Sequence, residues 1–322
     1  MIKDEVLSLL LRSPEDWLSG AALAKRLSVS HTAVWKAVEQ LRAEGYEVES
    51  VTNKGYRLLP RGDLLSAQGV ESFLNTPGLR LQYVPSLPST NTALKAMAAE
   101  GAPEGTVLIA GEQTAGRGRM GRSFYSPPGS GLYLSLLLRP QLPAAEAVRL
   151  TACAAVAVAE AVEALSGLET QIKWVNDVLI GGKKICGILT EGSLDIESGR
   201  LSWAVVGIGV NTAVPVGDFP PELRDTAGAV FGAERPPALR CRLAAGILDR
   251  LADYCARPAD PAVFEAYRSR SLVLGREITV HSPGKEPEAA LALDLDSDFG
   301  LLVRLADGSV RQLGSGEVSV RT

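Results

Sequence analysis

The sequence predicts an α+β chain in three parts, and three observations carry that prediction. Residues 1 to about 60 hold two amphipathic helical patterns followed by an alternating, turn-bearing stretch. From there to about residue 270, strand-like and helix-like runs alternate; residues 271–322 are short strands separated by turns. A chain of 322 residues is long enough for two or three domains, and we expect them at 1–62, 63–270 and 271–322.

In the first part, Leu23 and Leu27 mark one apolar stripe and Val34, Val38 and Leu41 the next. Ser30 fits the N-cap of the second helix and Gly45 its stop. The run Y-E-V-E-S-V-T-N-K-G-Y-R-L-L then alternates about Asn53-Lys54-Gly55, a hairpin signal. Helix, turn, helix and hairpin resemble a winged helix-turn-helix, in which the second helix enters the DNA major groove and the hairpin meets the backbone. The reading face would hold Ser28, Ser30, His31, Thr32, Lys36 and Arg42, with Lys54 and Arg57 on the wing. Eight basic and eight acidic residues in 1–60 leave charge neutral on the matter. A helical domain built for packing or protein contact is the plainer alternative. Pro60-Arg61-Gly62-Asp63 reads as a linker.

In the second part, 106–110, 131–138, 171–175 and 203–210 read as strands, and 90–101, 144–165 and 238–254 as helices. The third part, with Asp307-Gly308 among its turns, suggests a small β-barrel.

Composition removes several classes. A net charge of −4 argues against coating nucleic acid by charge alone. Cys153, Cys186, Cys241 and Cys255 form no C-x-x-C pair, so reduced cytosolic thiols are expected rather than a disulfide frame or zinc site. The N-terminal stretch carries acids and an early proline, unlike a signal peptide, and no run fits a bilayer span, so a cytoplasmic compartment and no membrane are expected. His31 and His281 are the only histidines and stand far apart, which disfavours a His-rich metal site or a Ser-His-Asp triad. Chemistry must rest on Lys, Arg, Asp, Asn and backbone groups.

G-R-G-R-M-G, Gly116 to Gly121, matches the dinucleotide fingerprint G-x-G-x-x-G. That motif should open a helix and find an acid about 20 residues on. Here Pro127 and Pro128 follow, and no Asp or Glu appears from Gln113 through Ala145. The dinucleotide reading fails. Arg117, Arg119 and Arg122 between glycines suit a mobile loop that closes over a phosphate or carboxylate and excludes water.

Ser89-Thr90-Asn91, G-E-Q-T-A-G-R-G-R-M-G-R, K-W-V-N-D-V, K-K-I-C-G-I-L-T-E and G-I-G-V-N occur in an order and spacing that resemble the biotin protein ligases. With the winged helix in front and the small β-domain behind, the resemblance is to the bifunctional type that is also a biotin operon repressor. It covers essentially the whole chain. It implies a central domain related to class II synthetases and an SH3-like C-terminal barrel. Met120 stands where the family has another arginine, and Val175 where it has proline.

The resemblance further implies that biotin and ATP form biotinyl-5′-adenylate with Mg²⁺, and that a lysine of a biotin carboxyl carrier domain then takes the biotin. It assigns Lys184, Asp177 and Arg119 to catalysis. Ser89, Thr90, Asn91, Gln113, Gly116, Arg117, Arg119, Lys184, Gly187 and Gly209 are assigned to biotin, and Arg119, Arg122, Lys173, Trp174, Asn176 and Asn211 to the nucleotide. Asp177 is the candidate for the metal. Operator DNA and a homodimer are the implied further partners. Taken singly, S-T-N is also an ordinary helix cap, N-D a turn, and G-G-K-K a solvated hairpin with Lys183 at its surface. Two rival functions remain: a lipoate ligase or octanoyltransferase, whose R-R-x-S-G-G-G-A stretch does not occur here, and a ligand-sensing repressor without catalysis.

Overall fold

A computed structural model describes residues 2–13, 16–59, 63–140, 142–232, 235–281, 286–314 and 317–320. Its contacts divide the chain into two compact units: residues 1–77 with 232–249, and residues 78–231 with 250–322. Most of the predicted linker, 60–62, and with it the boundary expected at 62, lies outside the described residues.

The first unit holds α1 (Ile2–Arg12), α2 (Gly20–Leu27), α3 (His31–Ala43), β1 (Val48–Val51), β2 (Gly55–Leu58) and α4 (Ala67–Glu71). Ser19 caps α2 by accepting from Ala22 N at 3.1 Å, and Ser30 caps α3 by accepting from Ala33 N at 3.2 Å. Left-handed Ser28 (φ 55°) ends α2 and sets the turn between the two helices. Val6, Leu10, Leu23, Val34, Val38 and Leu41 are buried, so both predicted stripes meet α1, whose apolar face had no assigned partner in the sequence. The antiparallel pair β1–β2 closes at Val51↔Gly55, as the Asn-Lys-Gly signal requires. Asp63, the last residue of the predicted linker, binds through its carboxylate to Arg240 Nε at 2.8 Å in the first half of α7 (Leu239–Ala256).

The second unit is built on a seven-stranded mixed sheet in the order β3-β4-β5-β9-β8-β7-β6. Its strands are β3 (Arg80–Leu87), β4 (Thr106–Gln113), β5 (Gly131–Leu138), β6 (Gln171–Lys173), β7 (Asp177–Ile180), β8 (Lys183–Asp195) and β9 (Arg200–Asn211). Only β3 and β4 pair in parallel. Central β5 is buried at every position, which accounts for its unbroken G-L-Y-L-S-L-L-L. Helices α5 (Thr90–Ala99) and α6 (Val148–Ser166) pack on the sheet, and α8 (Pro261–Ser269) packs on α6.

Two predicted elements shift. The strand expected over 171–175 ends at Lys173, because Lys173 already pairs with Asp177 and residues 174–176 form the connecting turn, with a cis bond between Trp174 and Val175. The helix expected from 144 begins as a short 3₁₀ turn, Ala144–Glu146, before α6.

The C-terminal strands β10 (Glu277–His281), β11 (Glu288–Leu295), β12 (Leu301–Leu305), β13 (Val310–Leu313) and β14 (Glu317–Val320) form one antiparallel sheet, ordered β13-β12-β11-β10-β14. The turn between β11 and β12 carries Phe299, buried against Phe264 and Tyr267 at 5.5 and 5.3 Å between ring centroids. Burying a ring of this size stabilises by about 1.5–3 kcal/mol. All four cysteines are free thiols, and burial pushes the Cys241 thiol up to about 12. Among the described residues no helix is long and apolar enough to cross a membrane, and no cluster of three or more His, Cys, Asp or Glu could hold a metal.

Candidate active site and DNA-binding face

The S-T-N motif lies where β3 gives way to α5. Ser89 is indeed a cap, its Oγ accepting from Thr92 N at 3.4 Å. Capping turns Thr90 and Asn91 inward, where they are only 3% and 4% exposed. Buried polar groups need partners, and these are supplied. Thr90 N and Oγ1 donate to Gln113 Oε1 at 2.8 and 3.1 Å, and Gln113 Nε2 donates to Ser126 Oγ at 3.0 Å. Ser135 Oγ lies 2.8 Å from Thr90 Oγ1 and 2.7 Å from Asn91 Oδ1. Asn91 Nδ2 donates to Leu189 O and to Glu191 Oε2 at 3.0 and 3.1 Å.

Glu191 also binds Lys95 at 2.6 Å and Arg117 at 3.1 Å. Burial alone would raise this carboxyl. The hydrogen bonds from Lys95 and Asn91, with the charges of Lys95 and Arg117, outweigh burial and hold it below its ordinary value.

The arginine stretch folds back as a narrow antiparallel arm. Gln113 pairs with Ser126 and Arg117 with Ser123, and Gly118 N donates to Arg122 O at 2.7 Å. Its tip is a 3₁₀ turn in which Met120 adopts φ 54° and is exposed. From this arm Arg119 Nη1 donates to Asn176 Oδ1 at 2.9 Å, and Asn176 Nδ2 donates to Asp177 Oδ1 at 3.1 Å and Ile188 O at 3.0 Å. Asp177 Oδ1 in turn lies 2.7 Å from Lys184 Nζ. The chain Arg119–Asn176–Asp177–Lys184 thus links the arm to the β7–β8 hairpin.

Two glycines of G-I-G-V-N make room in the sheet. A Cβ on Gly207 would sit 1.9 Å from Asn91 Oδ1, and one on Gly209 would sit 2.5 Å from the Phe124 ring.

Most predicted residues converge on two adjoining clefts. Ser89, Thr90, Asn91, Gln113, Arg117, Gly187 and Gly209 line an inner cleft. Arg122, Lys173, Trp174 and Asp177 line an outer one. Arg119, Asn176 and Lys184 line both. Two stand apart. Gly116 lies on the other side of the arm, backed by Phe124 O, and Asn211 lines a neighbouring pocket with Phe219 while donating to Gly228 O at 3.0 Å. Lys183 is at the surface, donating to Arg224 O at 3.1 Å. Sequence reasoning missed Phe124, Ser135, Gly207 and Glu191. Ser135 had a signal, as the one aliphatic hydroxyl in an apolar strand; Phe124 and Glu191 become visible only when distant segments meet.

In the first unit His31, Thr32 and Lys36 are exposed on α3, and Lys54 and Arg57 lie 5.8 and 4.7 Å from the Trp17 ring centroid. Trp35, not anticipated, is 53% exposed on the same helix. Arg42 faces inward. Its guanidinium donates to Val48 O at 2.9 and 2.7 Å, to Ser50 Oγ at 3.0 Å and to Glu39 at 2.7 Å, fastening α3 to the hairpin.

A ligase domain with an arginine arm over paired clefts, preceded by a helix-turn-helix unit, is the class that fold and site define. Residues 83–211 match the biotin/lipoate A/B protein ligase family, and residues 3–57 match an HTH domain family. The bifunctional ligase/repressor BirA of Bacillus spizizenii is 36% identical over 99% of this chain and 98% of its own length. The biotin--[acetyl-CoA-carboxylase] ligase of Mycobacterium tuberculosis is 32% identical over 74% of this chain and 88% of its own. The solved biotin protein ligase from Aquifex aeolicus, in complex with biotin and ATP, superposes with a TM-score of 0.61 at 29% identity, covering 75% of this chain and 98% of that one. The chain belongs to the family of bifunctional biotin ligase/repressors, the BirA proteins.

Proposed function

We propose that the inner cleft binds biotin, the outer cleft binds ATP, and the chain joins biotin to a carrier lysine in two steps. A biotin carboxylate oxygen attacks the α-phosphorus, a P–O bond to pyrophosphate breaks, and biotinyl-5′-adenylate forms. The lysine amine of a biotin carboxyl carrier domain then attacks the acyl carbon, AMP leaves, and an amide results. The observation that carries this reading is the placement of Lys184 and Arg119 on the wall common to both clefts. Two cations there offset charge gathering on the carboxylate and phosphoryl oxygens.

Buried Thr90 and Asn91, with half-buried Gln113, offer donors and acceptors for a ureido ring, and Phe124 covers the cleft against water. Lys173, Trp174 and Arg122 meet the nucleotide. Asp177 orients the incoming amine. Mg²⁺ takes one or two carboxylates together with phosphate oxygens; Asp177, the one carboxylate lining the outer cleft among the described residues, fits an ion that arrives on ATP. That ion would neutralise the departing pyrophosphate.

The first unit reads operator DNA with α3 and the hairpin, through Ser30, His31, Thr32, Lys36 and Lys54, as a biotin-responsive repressor acting as a homodimer. The C-terminal sheet serves as an SH3-like module, the central sheet shares the layout of class II synthetases, and the compartment is cytoplasmic.

The test combines the protein with biotin, MgATP and a carrier domain and probes for biotinylated lysine, with lipoate in a parallel reaction. Labelling by biotin is expected; no labelling, or labelling by lipoate alone, would sink the reading.

A further inference from the structure

We propose that Phe299 is a positioning residue for the nucleotide end of the cleft: it holds the Lys173–Asn176 turn in the shape that receives ATP. The inference rests on the ligase reading above and adds to it a residue from the C-terminal sheet.

Phe299 is fixed by its own turn. Asp296 Oδ1 accepts from Asp298 N at 2.7 Å and from Gly300 N at 2.8 Å, while Phe299 N donates to Asp296 O at 3.0 Å. The turn holds Phe299 at φ 61°, a left-handed conformation uncommon for a bulky side chain. This conformation sends ring and carbonyl to work separately. The ring packs on Phe264 and edge-on to Tyr267, and the carbonyl accepts from Trp174 Nε1 at 2.8 Å. Tyr267, itself fully buried, donates its hydroxyl to Val175 O at 3.2 Å.

Successive residues of the 174–176 turn are therefore held from behind, Trp174 by its indole and Val175 by its carbonyl. From the front the same turn presents Lys173, Trp174 and Asn176 to the outer cleft, with Asn176 receiving Arg119. Val318 of β14 reaches that cleft as well, so the C-terminal sheet borders it directly. Of the ion pairs this sheet makes with the rest of the unit, Arg268 to Asp294 at 2.8 Å lies at the surface, where solvent screens it, and Arg149 to Asp298 is partly buried. The Phe299 contacts are fully buried. The Thr90–Gln113–Ser135 network of the inner cleft runs through other residues. A defect at Phe299 should thus separate ATP from biotin.

Pyrophosphate release by the full-length protein distinguishes this from general packing. Wild type, Phe299→Ala, Phe299→Leu and Tyr267→Phe are compared with ATP varied at saturating biotin, and the converse, with thermal melts as a check of folding. Phe299→Ala should raise the KM for ATP about ten-fold and leave that for biotin within about two-fold. Tyr267→Phe should show the same split at about three-fold, and Phe299→Leu, which keeps most of the apolar volume, should restore most of the loss. A folded Phe299→Ala with an unchanged KM for ATP, or with both KM values rising together, overturns the proposal. Should Phe299→Ala fail to fold, Tyr267→Phe decides by the same criterion. Wild type that releases no pyrophosphate with biotin overturns the ligase reading and this proposal together; defects confined to the variants' expected pattern concern Phe299 alone.

Discussion

Lys184 Nζ lies 2.7 Å from Asp177 Oδ1 because of a bulge in the β7–β8 ladder. Val178 pairs with Cys186, but Leu179 pairs with Lys184, so Ile185 is left over. In an unbroken register Lys184 would oppose Ile180 and point to the opposite face of the sheet from Asp177. The extra residue re-aims its side chain into the cleft.

Lys184→Met should therefore cost activity without costing stability. Both partners are partly exposed, with side chains 37% and 22% accessible, and such a pair contributes about 0–1 kcal/mol to folding. Removing a preorganised cation from the reacting charge should slow adenylate formation by roughly 10²–10³-fold. Pyrophosphate release and a thermal melt together check this; a variant that keeps its rate would remove Lys184 from the chemistry.

Gly207→Ala tests the inner cleft without touching a charge. The new methyl would fall 1.9 Å from Asn91 Oδ1 and displace a side chain that bonds Leu189 O and Glu191 and accepts from Ser135. Overpacking of this kind costs about 1–3 kcal/mol of stability, and displacing Asn91 should raise the KM for biotin about ten-fold. An unchanged KM for biotin would show that the Asn91 network is not part of the biotin site.

Much of this arrangement was legible in the sequence, and the gaps have physical causes. β5 announced itself because a strand buried on both faces is a continuous apolar run, and α3 because its cap and stripe are local. The β7–β8 bulge left no mark, since register depends on which backbone groups meet. S-T-N could be read as a cap, which Ser89 is. The inward network of Thr90 and Asn91 needs Gln113 and Ser135, from strands that are distant in sequence. Arg42 looked like a reading-face cation because helical spacing shows a face but not the carbonyl of Val48 waiting beside it. Met120, the departure in the arginine stretch, occupies an exposed left-handed turn, so the change spares the side chains that reach inward.

Arg119 spans the arm and the Asn176 turn, and its loss should leave the adenylate poorly held. Arg119→Gly is expected to go on forming biotinyl-5′-adenylate but to release it, labelling bystander lysines. Mixing the variant with biotin, MgATP and serum albumin reads this out on a blot. If labelling of albumin does not exceed that by wild type, the arm does not retain the intermediate.

Glu191 predicts a pH dependence with a definite sign. Its carboxyl is held below the ordinary value in the folded chain, so the unfolded chain binds the proton more readily. The stabilisation is present above the unfolded value, about 4.3, and is lost as pH falls through the lowered folded value. Denaturant unfolding at successive pH values in that acidic window should show wild type losing stability that Glu191→Gln does not lose. Parallel decline of the two would mean that the Lys95 and Arg117 pairs contribute nothing measurable.

In the first unit, Lys36 and Lys54 should act on DNA through charge, whereas Arg42 should act through the fold. Each lysine that neutralises a phosphate releases a counterion, so Lys36→Ala and Lys54→Ala should each flatten the log–log dependence of DNA affinity on salt by about 1. Arg42→Ala strips donors from Val48 O and Ser50, a loss of about 1–3 kcal/mol that lowers the melting temperature and leaves the salt slope alone. Fluorescence anisotropy against operator DNA at several salt concentrations measures the slopes, and a thermal melt measures the third variant. If neither lysine variant changes the slope, the exposed face of α3 and its hairpin serve protein contact instead of DNA.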